Sequence, residues 1–121
     1  MFGFGDAKES RDEIYDGEPH QSKVSHELVA GGAAFEAMKL FEDRQRANGE
    51  PIKHAFAKEA LAGIAGAEVD KLFETKGLDF LDREEAKHKA KKQAEHLYDE
   101  HYGQYDEYNP NEQGRHPTLD Y

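Results

Sequence analysis

Residues 59–74 repeat residues 27–42. At an offset of 32, nine of sixteen positions are identical: Glu27/Glu59, Ala30/Ala62, Gly31/Gly63, Ala33/Ala65, Glu36/Glu68, Lys39/Lys71, Leu40/Leu72, Phe41/Phe73 and Glu42/Glu74. An alanine-rich composition can imitate two or three matches but not the block KLFE recurring in register. Internal similarity at a fixed offset points to two copies of one structural unit. Each copy carries its small residues at helical spacing. Ala30, Ala34, Ala37 and Phe41 form one stripe, and Ala62, Gly66, Val69 and Phe73 form its counterpart.

Glycine in a helix interior costs about 1 kcal/mol relative to alanine. Gly31, Gly32, Gly63 and Gly66 therefore call for a packing reason. Small stripes let two helices approach closely, exchanging side-chain volume for dense backbone contact. Only Gly49 and Glu50 separate the two predicted helices. So short a connection favours antiparallel neighbours. The two stripes then form a helix crossing, within one chain or between two.

Helix punctuation divides the remainder. The first predicted helix spans about 23–48, capped by Ser22 and stopped by Gly49. Pro51 suits the first turn of a second helix over 51–76, stopped by Gly77. A third begins after Asp79 or Asp82 and covers about 80–102. No segment alternates apolar and polar residues with the period of a strand. The expected class is all-α: a bundle of three long helices, the first two an internally duplicated hairpin. Residues 1–21 are punctuated by Gly3, Gly5, Gly17 and Pro19 and read as a loosely ordered arm, tacked down by Phe2, Phe4 or Tyr15. Residues 22–103 form the single helical domain, and 104–121 an extended or mobile tail.

The chain has 121 residues, only 36% hydrophobic, so a lone core is thin and pairing with a second copy would help bury it. The expected partner is therefore the chain itself, as a homo-oligomer and most simply a dimer. A formal net charge of -10 argues against generic binding to nucleic acid or anionic membrane. Without cysteine there is neither a disulfide framework nor thiolate chemistry. The first residues lack a basic stretch followed by an apolar one, and no apolar run approaches a membrane span. A cytoplasmic protein with no stable membrane insertion is expected.

Candidate chemistry is sparse. Glu85 and His88 have the Glu-x-x-His spacing of di-iron bundles, but no second such motif accompanies them. A lysine-rich exposed face explains them better than a metal site. His96 and His101 lie five apart, about 140° around a helix, a poor chelating pair. Tyr98, Tyr102 and Tyr105 would share a face if the helix ran past Gly103, giving an aromatic seam against the other helices. The sharper alternative is a ligand pocket lined by His96, Tyr98, His101 and Tyr102. No catalytic residue and no cofactor is called for: phosphate-binding, dinucleotide and nucleophile-elbow motifs are missing.

The stretches SHELVAGGAAFEAMK, HAFAKEALAGIAGAEVDKL and ETKGLDFLDREEAKHKAKKQAEHLYDEHY, with the N-terminal arm, resemble the CipC-like family of small fungal proteins. The likeness covers roughly residues 1–103. It implies a fungal origin and an association with antibiotic or other stress responses, and it brings no catalytic residues, cofactor or substrate. The expected function is that of a stress-associated, non-enzymatic helical protein working through self-association. The alternative is a small-molecule-binding or catalytic helical protein with the Tyr/His pocket.

Overall fold

The computed structural model describes residues 3–16, 24–105, 108–109, 113–114 and 119. Among them the chain forms four helices: α1 (Phe4–Arg11), α2 (His26–Asn48), α3 (His54–Lys76) and α4 (Arg83–Tyr102). A π-type turn, Asp12–Asp16, extends α1. The expected all-α class holds, with one helix more than the three long ones.

Local chemistry explains most boundaries. The Ser25 hydroxyl accepts from the Leu28 N–H and caps α2. Gly49 ends that helix at φ 70°, and Gly77 ends α3 at φ 64°, both in the left-handed region that suits glycine. The Asp82 carboxylate accepts from the Glu85 N–H and starts α4. The Ser22 cap falls outside the described residues. Pro51 does not open α3, which begins three residues later at His54. Ile52 is instead held extended, its N–H and carbonyl both paired with Tyr108 at 2.8 and 2.9 Å.

Contacts between helix ends set the directions. His26 at the start of α2 lies against Asp82 and Glu85 at the start of α4, whereas Arg46 near the end of α2 reaches Tyr102 at the end of α4. So α2 and α4 run parallel. α3 returns between their opposite ends, with His54 beside Tyr98 and Asp70 beside Lys87. Phe41 and Phe73, matching positions of the like-sequenced helices, thereby cover opposite ends of α4. Phe41 stands edge-on to Tyr98, and Phe73 lies under the Arg83 guanidinium.

Residues 1–21 were expected as a loose arm, but α1 packs along α2. Phe4, Ala7 and Ile14 are buried in the common core. Arg11 donates to Glu36 at 3.0 Å, and the Tyr15 hydroxyl donates to Glu68 at 2.7 Å. Glu36 and Glu68 are again matching positions of α2 and α3, so both helices grip the N-terminal segment with the same residue.

Candidate functional site

The end of the bundle where α2 finishes, α3 starts and α4 finishes holds the densest polar and aromatic chemistry. Glu42 is fully buried there. Its Oε2 accepts from Arg46 Nε at 3.0 Å, one helical turn on, and from the Tyr108 hydroxyl at 3.2 Å. Arg46 also donates to the Tyr102 hydroxyl and to the Gln113 carbonyl. Around this pair stand the rings of Phe41, Tyr98, Tyr102 and Tyr108, with centroids 4.9 to 6.5 Å apart at tilted or edge-on angles. Charge-assisted hydrogen bonds of this kind offset the cost of taking a carboxylate out of water. One atom is not offset: among the described residues Glu42 Oε1 is buried without a partner.

His54 closes the cluster on the α3 side. Its Nε2 lies 2.5 Å from the Tyr105 carbonyl, and its Nδ1 lies 2.6 Å from the Tyr98 hydroxyl. A carbonyl only accepts, so Nε2 carries the hydrogen. In the tautomer protonated at Nε2, Nδ1 accepts from the Tyr98 O–H. Burial pushes the phenols of Tyr98, Tyr102 and Tyr108 well above their ordinary value, and the Glu42 carboxylate adds to the rise in each. For Arg46, burial opposes the charge, but Glu42 and the two phenols outweigh it and raise its affinity for the proton. The phenols are thus neutral donors over the physiological range, suited to holding a carboxylate in place.

Residues 10–101 match the family model described as Virulence factor CipC-like. The chain belongs to that family. No curated protein and no solved structure matches it.

The CipC-like match includes Glu42, Arg46, His54 and Tyr98 but stops before Tyr102 and Tyr108. Of the residues singled out from the sequence, Tyr98 and Tyr102 are buried in the cluster. His101 stands edge-on to Tyr102 and donates to the Gly114 carbonyl at 2.6 Å, while His96 is exposed on α4. Glu42, Arg46, His54 and Tyr108 were not foreseen. Glu42 stood inside the repeated KLFE block and Arg46 one turn beyond it, a spacing that could have signalled the pair. Nothing local to Tyr108 marked it.

Glu85 and His88 are both exposed, and Glu85 pairs with His26 at 3.1 Å. Among the described residues no group of three or more metal-ligating side chains is assembled.

Along the stripes, Ala30, Ala34, Ala37, Phe41, Gly66, Val69 and Phe73 are buried and Ala62 is half-buried. The glycines divide sharply. A Cβ on Gly32 would stand 2.6 Å from Ile14 Cγ2 and 3.2 Å from the Arg11 backbone, so the close approach there is with the N-terminal segment. One on Gly66 would meet only Lys91 and Lys87 side chains of α4, and one on Gly63 would meet nothing. Gly63 therefore has no packing reason.

Proposed function

We propose that this CipC-like protein is a non-enzymatic, stress- or virulence-associated interaction protein of the cytoplasm that works by self-association, most simply as a dimer. The observation that carries this is the exposure of Phe56 and Tyr105, 61% and 40%, at the end of the bundle where α3 begins and α4 finishes. Aromatic rings left in water at one end of a bundle mark a contact surface. The polar chemistry nearby is turned inward, Glu42, Arg46 and the buried tyrosines bonding chiefly to one another. The family description supports the association with virulence. The stripes from Ala30 to Phe41 and from Ala62 to Phe73 serve the interior of each copy, leaving the exposed aromatic end for the second copy. Sedimentation equilibrium tests this. The wild type should form a dimer that Phe56→Ser shifts to monomer with unchanged helical circular dichroism. A wild type that stays monomeric at every concentration overturns it.

One observation favours a second reading, a small-molecule-binding protein. Glu42 Oε1 is buried without a donor among the described residues. A small molecule with a hydrogen-bond donor would satisfy it. Native mass spectrometry of protein purified from its own host would then show a retained mass that Glu42→Gln loses.

A further inference from the structure

We infer that Tyr105, Tyr108, Gln113 and Gly114, beyond Gly103, are the contact points of an exchangeable strap: they fill a groove at the end of their own bundle, and in the dimer they fill the same groove of a second copy. The inference rests on the self-association reading and names the contact that makes it.

The strap is held at several points. The Tyr105 carbonyl accepts from His54, the Gln113 carbonyl from Arg46 at 3.0 Å, and the Gly114 carbonyl from His101 at 2.6 Å. Tyr108 pairs through its backbone with Ile52 in both directions. Its ring is buried 5.2 Å from Phe41 and 4.9 Å from Tyr102, with the hydroxyl on Glu42. Leu119 is buried as well.

These contacts follow the logic of an added strand. Helix side chains donate to the strap's carbonyls, which any extended segment offers, and one tyrosine seated among aromatic rings supplies selectivity. Tyr108 lies outside the family match, so the helices common to the family provide the groove and this chain's own C-terminal segment is its occupant.

Two features favour exchange with a second copy. Gly103, Gln104 and Tyr105, the turn joining α4 to the strap, are all exposed. A second copy's strap can therefore make every contact the resident one makes, which is why swapping an identical element is a low-cost route to dimers. Exchange also draws two chains together at the end that exposes Tyr105 and Phe56.

The test adds a synthetic peptide of residues 104–121 to the full-length protein. Fluorescence anisotropy of the labelled peptide reports binding, and native mass spectrometry reports stoichiometry. The peptide should bind saturably and convert the dimer to monomers carrying one peptide each. A peptide with Tyr108→Ala should bind at least about tenfold more weakly. Because that substitution sits in the added peptide, it cannot unfold the chain. A dimer that excess peptide leaves intact, or equal binding by the altered peptide, overturns the exchange while the self-association reading stands. A chain that is monomeric throughout overturns that reading, and exchange between copies falls with it.

Discussion

Gly32 and Ile14 are in such close apposition that a methyl group on the glycine would stand 2.6 Å from Ile14 Cγ2. This is the point where the N-terminal segment crosses α2. The neighbours there cannot easily yield: Ile14 is a buried, β-branched side chain, and the Arg11 backbone stands 3.2 Å away.

Gly32→Ala should therefore destabilise the protein by about 1–3 kcal/mol, overpacking outweighing the gain of about 1 kcal/mol in helix propensity. Gly63→Ala should do the reverse. Its position is an exposed helix interior with open space around the added methyl, so a gain of about 0.5–1 kcal/mol is expected. Urea denaturation of the two variants checks the pair, and equal shifts of the same sign would contradict it.

Glu42 and Glu74 offer a second matched comparison. Both end a KLFE block, but Glu42 is fully buried under Arg46 and Tyr108 whereas Glu74 is exposed on α3. Glu42→Gln should cost about 2–4 kcal/mol, discounted from a wholly buried pair because the Arg46 side chain is 23% exposed. Glu74→Gln should stay within about 0.5 kcal/mol of wild type. The midpoints of denaturant unfolding decide between them.

The buried phenols predict an alkaline limit to stability. Tyr15, Tyr98, Tyr102 and Tyr108 are all raised, chiefly by burial, with Glu68 adding to the first and Glu42 to the others. Above pH ~10 the unfolded chain releases phenolic protons that the folded chain keeps. A raised folded value thus contributes stability that is complete below about pH 10 and lost as pH climbs beyond it. These four tyrosines should stay un-ionised until the helices melt, so tyrosinate absorbance and loss of ellipticity should rise together. Smooth titration of every tyrosine in a still-helical chain would refute this.

Helix caps give a smaller effect. Ser25→Ala and Asp82→Ala each remove the acceptor for a first-turn N–H of α2 or α4 and should each cost about 1 kcal/mol. Thermal unfolding monitored at one pH would register both.

The all-α class, the stops at Gly49 and Gly77 and a start of α4 at Asp79 or Asp82, of which Asp82 is the cap, were legible because each depends on residues within a turn or so of itself. The family was legible for a related reason: its blocks lie within the long helices. Helix α1 was missed because its glycines and polar residues carry a weak local pattern, and its order comes from Phe4, Ala7 and Ile14 packing on distant helices. At the candidate site, Tyr98 and Tyr102 could be read from spacing on one helix. His54 and Tyr108 could not, since their significance arises only where three helix ends meet.

By itself, then, the amino-acid order determined the three long helices, where α2 and α3 end, and that those two share a pattern. Tertiary structure alone decided what the shared pattern is used for. Gly32 makes room for the N-terminal segment while the repeated Gly63 faces open space, and of two identical glutamates one is buried and the other meets water. The reason is one of range. Helix propensity and capping act over a few neighbouring residues, whereas burial is set by whichever remote segment comes to lie across a given face.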